Sequence, residues 1–332
     1  MKICICGGGG LGHVCAGVLA SQKNVELNIL SGHPENWQTI ITVTDLNGKQ
    51  YVAKIKKVSS KPEEVIAGQD IILLCLPGYL IEKTLRDIKP YIGNAAVGTV
   101  VSSTGFFFFA HDILGENAKL FGFQRVPFIS RVIDYGKTAN LLGYKSSLAA
   151  VLENVENPED FRKELERLFI TPVTLLNSFY EVALSNSNPI LHTGRLYTMF
   201  HGRENEVFDH NILFYKEWTD EASQMLIDMD AEFFQLLDKL GVHTLPTLLD
   251  YYESTDAASL TRKITSIPAF QTIISPMKQA EGGWVVDLGS RYFMEDFPFG
   301  LRWIVETANI QSIKMEITQK VYWWGVKEIK QY

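Results

Sequence analysis

Cysteine is scarce in this chain. The four present, Cys4, Cys6, Cys15 and Cys75, all fall in the first quarter and within apolar runs, where a free thiol behaves as a small hydrophobe. Cys4-x-Cys6 has no matching Cys/His pair, so no metal site is expected. This usage fits a reducing cytoplasm. No run approaches the roughly 18 uninterrupted apolar residues of a membrane-crossing helix, so no membrane partner is expected. The chain opens on a glycine cluster where a secretory signal would carry a positive region and a cleavage site. A long basic run is also missing, and the net charge is −7, which argues against a nucleic-acid partner. Lysine is absent between Lys163 and Lys216.

What is present is ordinary globular composition, 46% hydrophobic and 21% charged over 332 residues, enough for two domains. The organising stretch is MKICICGGGGLGHVCAG, residues 1–17. Ile3 to Cys6 read as a buried strand, Gly7, Gly9 and Gly12 fall in the G-x-G-x-x-G spacing, and small apolar residues then suit a helix. The first glycine permits the tight turn, the second lets a pyrophosphate approach bare backbone, and the third lets helix and strand pack closely. The diphosphate would sit at the helix N-terminus, with Gly10 beside it.

The second strand, Val25 to Leu30, ends in Ser31-Gly32-His33 without the carboxylate that usually bonds the adenosine ribose. Ser31 and His33 would tolerate a 2′-phosphate better than a carboxylate would, so the reading leans to NADP over NAD, although no arginine is there to clamp the phosphate. Ile41 to Val58 reads as a hairpin about Asn47-Gly48, a dipeptide suited to a primed turn. Asp70 to Leu76 is a buried strand whose end, at Pro77, borders the cofactor crevice. Strand and helix alternate to about residue 115, which predicts a doubly wound parallel sheet of Rossmann type. Lys119 to Glu153 adds strands that close a first domain over 1–155.

The second half, 156–332, reads as a mostly α-helical domain, with amphipathic helices from Thr219 to a stop at Gly241 and over Leu301 to Val326. A site is expected in the cleft between the two domains. Two stretches look unlike core. In Asn188-Pro189-Ile190-Leu191-His192, Asn188 suits an N-cap and Pro189 the first helical position, which puts His192 near the positive end of that helix. In Arg291-Tyr292-Phe293-Met294-Glu295-Asp296-Phe297-Pro298-Phe299-Gly300-Leu301, an arginine and two carboxylates sit beside aromatics and a Pro/Gly turn. Each stretch alone reads as readily as a capping histidine or a salt-bridged surface turn.

Together with the glycine loop and with Pro127 and Arg131, these motifs make the chain resemble the octopine/nopaline (opine) dehydrogenase family over nearly its full length. The resemblance implies an NAD(P)-dependent oxidoreductase acting on the CH–NH group. An amino acid and a 2-oxo acid would condense to an imine, which a hydride then reduces. It implies that His192 and Asp296 form a catalytic pair and that Arg291 holds a substrate carboxylate. Asn188 and Arg131 are assigned to substrate binding on the same motifs. A homodimer is left open. Two alternatives remain. One is a simple 2-oxo or 2-hydroxy acid reductase of the same layout; such enzymes usually rely on a lysine early in the helical domain, where this chain has none. The other is a non-catalytic nucleotide-binding sensor.

Overall fold

The apolar start of the chain forms β1 (Lys2–Cys6), whose last four residues are buried, and the glycines turn it into α1 (Gly10–Ala20). These elements belong to a computed structural model that describes residues 1–331. Next come β2 (Glu26–Leu30), β3 (Ile40–Asp45), β4 (Gln50–Ser59), α2 (Pro62–Val65), β5 (Ile71–Leu74), α3 (Gly78–Ile88), β6 (Ala96–Thr99), α4 (Phe106–Leu114) and β7 (Leu120–Phe123). Strands β4, β2, β1, β5, β6 and β7 lie side by side in that order and are parallel throughout. This is the doubly wound arrangement that alternating strands and helices predict. Its core is aliphatic and aromatic, with Ile3, Ile5, Val14, Leu27, Ile29 and Phe121 all buried.

The β3–β4 hairpin forms, but with a different turn. Asp45 and Lys49 still pair, only Gly48 has positive φ, at 79°, and the Asp45 carboxylate accepts from the Asn47 and Lys49 amides. A three-residue loop closed by a left-handed glycine thus replaces the two-residue primed turn.

Strands β8 (Phe128–Asp134) and β9 (Thr138–Tyr144) extend the sheet beyond β3, and β10 (Leu148–Glu153) extends it beyond β7. The next elements do not start a second domain. Helix α5 (Pro158–Phe169) leads to β11 (Val173–Leu175), which pairs parallel to β10, and α6 (Tyr180–Ala183) follows. The first compact unit is therefore Met1–Ala183. It ends later than residue 155 because the sheet takes one of its two edge strands from after α5.

The unit from Leu184 onwards is mostly helical. Its elements are α7 (Asn188–Phe200), α8 (Asp220–Lys239), α9 (Leu248–Tyr251), α10 (Ala257–Ser266), the hairpin β12 (Met277–Ala280) and β13 (Gly283–Val286), α11 (Arg291–Met294), α12 (Arg302–Ile310) and α13 (Glu316–Gln331). The Thr219 side chain caps α8 by accepting from the Ala222 amide. The helical pattern over 301–326 proves to be two helices, broken where Ser312 takes a positive φ. No helix among the described residues is long and apolar enough to cross a membrane.

One buried acid in this unit gives a pH signature. Asp230 on α8 accepts from the Leu248 amide at the start of α9, and burial raises its carboxyl to about 6. A raised native pKa contributes stability at low pH that is lost as pH rises through about 6. Asp230→Asn keeps an acceptor and sheds the charge. It should raise the melting temperature at pH above 7, with a stability gain of about 3 kcal/mol at most, and the gain should vanish below the ordinary carboxyl range near pH 4. Thermal melts of both proteins across that range check the sign.

Candidate active site

In the first unit, the loop between β1 and α1 has the form a dinucleotide diphosphate requires. Gly7 has φ of 122°, and a Cβ there would lie 2.5 Å from the Cys75 carbonyl oxygen. A Cβ on Gly12 would lie 2.1 Å from the Gly7 carbonyl oxygen. Gly9 differs: its backbone is extended and a Cβ would meet nothing within 4 Å. The second glycine thus opens onto free space at a helix N-terminus whose first turn holds no acidic residue, as anion binding needs. Pro77, the N-cap of α3, lies at the end of the neighbouring β5.

A second layer braces the loop. His13 is fully buried. Its Nδ1–H donates to the Gly9 carbonyl at 3.0 Å, and its Nε2 accepts from the Gly136 amide at 2.8 Å. Both bonds suit a neutral ring, and burial holds its pKa below the ordinary value. Trp37 stacks on the ring at 4.3 Å.

In the other unit, the two unusual stretches meet. His192 Nδ1 lies 2.9 Å from Asp296 Oδ2. The contact between the stretches is direct: a Cβ on Gly300 would come within 2.6 Å of Pro189, so only glycine lets the second stretch pack on the start of α7. Asp296 opens a π-helical turn, Phe297–Leu301, in which the Leu301 amide bonds the Asp296 carbonyl. Such turns recur at functional sites. The carboxylate can only accept, so the Nδ1 proton points at it and Nε2 is the ring's other working atom. Nε2 lies 2.9 Å from the Tyr215 hydroxyl. The Tyr292 and Phe214 rings meet the imidazole edge-on at 4.7 and 5.7 Å. No group of three His, Cys, Asp or Glu side chains among the described residues could hold a metal.

A family model for the α-helical domain of NAD/NADP octopine/nopaline dehydrogenase matches residues 175–327, and a ketopantoate reductase PanE/ApbA model matches 3–102. The octopine dehydrogenase of Mizuhopecten yessoensis is 25% identical over 99% of this chain and 90% of its own length. The tauropine dehydrogenase of Arabella iricolor is 25% identical over 97% of this chain and 90% of its own. A solved octopine dehydrogenase with NADH and L-arginine superposes with a TM-score of 0.86 at 25% identity, covering 99% of this chain and 90% of that one. Its helical unit matches the octopine/nopaline dehydrogenase family, and nearly its full length is similar to opine dehydrogenases.

The remaining residues that the family resemblance singled out are placed less uniformly. Arg291 opens α11 with its side chain 86% exposed, paired with Glu295 at 3.2 Å. It shares a unit with His192 but makes no contact with it. Asn188 is exposed at the first position of α7. Ser187 is the N-cap and Pro189 follows at the second position, one residue later than the sequence suggested. Arg131 is exposed on β8, the edge strand at the opposite end of the sheet from β11.

Ser31 and His33 follow β2 as expected, but the Ser31 hydroxyl is already saturated. It accepts from the His33 amide and from Trp37 Nε1, and it bonds the Tyr135 hydroxyl. A serine oxygen has no fourth partner, so Ser31 organises the loop. His33 is exposed, 3.5 Å from Glu35.

Two residues escaped the sequence reading. Tyr215 lies in an aperiodic segment that carries no sequence signal. Arg195 does carry one, since it follows His192 by one helical turn on a buried face. It is 3% exposed, and burial pulls its guanidinium down to about 10. It donates to the carbonyls of Phe214 and Glu217 on either side of Tyr215.

Proposed function

We propose that the protein catalyses NAD(P)H-dependent reductive condensation of an amino acid with a 2-oxo acid. The observation that carries the reading is the 2.9 Å Asp296–His192 pair, in a chain whose first unit has an open diphosphate loop at Gly9. Gly7, Gly9, Gly10 and Gly12 hold the cofactor diphosphate, and Pro77 borders it. A bound reduced nicotinamide supplies the hydride. His192 exchanges a proton with the reacting oxygen, and Asp296 orients the ring and stabilises its protonated form.

Arg291 is exposed enough to exchange Glu295 for a substrate carboxylate, which a guanidinium can hold through two parallel bonds. Asn188 and Arg131 are further substrate contacts on this reading. Arg291→Ala should raise the KM for the oxo acid roughly tenfold to a hundredfold, the loss of about 1.5–3 kcal/mol, with kcat nearly unchanged. Steady-state kinetics with the oxo acid varied test this.

The direct assay is oxidation of NADH or NADPH with 2-oxo acids, each with and without a panel of amino acids. Oxidation that needs both partners supports the reading. Oxidation with the oxo acid alone points to a simple reductase, and binding without turnover to a sensor. The same assay separates the cofactors. The His33 imidazole after β2 could donate to a 2′-phosphate and so favour NADPH, whereas the Glu35 carboxylate 3.5 Å from it disfavours one. The four buried free thiols suit work in a reducing cytoplasm.

A further inference from the structure

His192 has no nitrogen to spare. Nδ1 is held by Asp296 and Nε2 by Tyr215, each at 2.9 Å, while the Tyr292 and Phe214 rings crowd its edges. A substrate oxygen can exchange a proton with this imidazole in two ways. Either Tyr215 swings aside, or the proton passes through it.

Tyr215 is poorly placed to swing. Its ring stacks on Phe270 at 4.2 Å and lies nearly parallel to Trp218, 5.9 Å away and inclined by 6°. Trp218 is fixed by a hydrogen bond from its Nε1 to Ser223, and the Arg195 guanidinium lies over its ring at 5.2 Å. The same arginine ties the backbone on both sides of Tyr215 through the Phe214 and Glu217 carbonyls. Arg195 makes no ion pair among the described residues; its buried charge meets the two carbonyls and the Trp218 ring directly, and Glu217 and Glu221 at longer range. What remains free is the rotation of the hydroxyl, which donates to Nε2 when the imidazole is neutral and accepts from Nε2–H when it is charged.

We propose that Tyr215 is a catalytic residue, the outer member of an Asp296–His192–Tyr215 proton line whose phenol, not the imidazole, meets the reacting oxygen of the substrate. The inference rests on the condensation reading above. In the dehydration step the phenol proton passes to the hydroxyl of the carbinolamine as the Nε2 proton passes to the phenol oxygen. The carbon–oxygen bond breaks, water leaves, and the nitrogen lone pair closes the iminium. One positive charge moves from the imidazolium to the iminium, and the phenol ends as it began. Arg195 is a positioning residue that holds the phenol in line.

The test is Tyr215→Phe, which keeps the ring stack and removes one oxygen. We expect kcat to fall by about 100-fold or more, with both KM values within about threefold and the melting temperature unchanged. In mixtures of light and heavy water, the wild-type rate should bow, as two protons in flight require, and the variant should lose the curvature. A variant with kcat within about threefold of wild type overturns the proposal and shows that the substrate reaches Nε2 directly.

A second readout needs no substrate. The nitrogen NMR signal of His192 Nε2 should move when the phenol is removed. If it does not, the line is absent in solution and the proposal fails. Failure of the condensation reading looks different: wild-type protein would oxidise no cofactor with any oxo acid and amine pair, while the NMR arm would still decide whether the line exists.

Discussion

His192→Ala is expected to reduce turnover by roughly three to four orders of magnitude, the span of a general acid–base group together with its partners, while cofactor affinity stays close to wild type. The second half of that expectation comes from the fold. His192 belongs to α7 of the helical unit, whereas the glycine loop belongs to the sheet unit, so deleting the imidazole leaves every bond that braces the loop in place. Asp296→Asn is the companion test. An asparagine can present its carbonyl oxygen to Nδ1–H, but it brings no charge to the imidazolium. It should therefore fall between wild type and His192→Ala. Cofactor titration by fluorescence and single-turnover rates measure the two quantities separately. A His192→Ala protein that keeps the full rate removes the histidine from the chemistry, and one that loses cofactor affinity in parallel reassigns it to binding.

Gly9→Val should abolish cofactor binding, raising the dissociation constant by at least about 100-fold, close to 3 kcal/mol, without lowering the melting temperature. The contrast among the glycines makes this a sharp test. A Cβ at Gly9 meets nothing within 4 Å, and the extended backbone there accepts any residue, so the protein should fold with the branched side chain projecting into the open space proposed for the diphosphate. At Gly12 a single methyl would lie 2.1 Å from the Gly7 carbonyl oxygen. Gly12→Ala should therefore destabilise the fold as well as weaken binding. Calorimetric titration with NADH and NADPH, run beside thermal melts, reads both effects. Unimpaired binding by Gly9→Val would place the diphosphate elsewhere.

Much of this was legible in the sequence, for local reasons. A buried strand, spaced glycines and a small-residue helix constrain one another within seventeen residues, so the loop could be read without the rest of the molecule. The His192 and Asp296 stretches could be singled out by residue type, because proline beside a capping residue, and an acid before a Pro/Gly turn, are unusual in ordinary core. Their meeting could not be read from spacing. It depends on Gly300 packing against Pro189, a contact between distant parts of the chain. Tyr215 was invisible for a related reason, since its significance comes from where Arg195 and two aromatic rings hold it. The first unit ended late because a strand as short as Val173–Leu175 has almost no pattern of its own and is defined by its pairing with β10. The hydroxyl of Ser31 could be placed at the end of β2 by counting, but its three partners come from 33, 37 and 135, and no count along the chain supplies Tyr135.

The Pro189–Gly300 contact also makes two positions into one evolutionary choice. A side chain at 300 has no room while proline stands at 189, and a change at 189 alone alters the surface that seats the aspartate turn. Substitutions at these sites should be strongly non-additive, as neighbours sharing one packing constraint are. Acceptable sequences then lie in paired combinations separated by poor single steps, so a lineage that has settled on this pair has little freedom to drift from it.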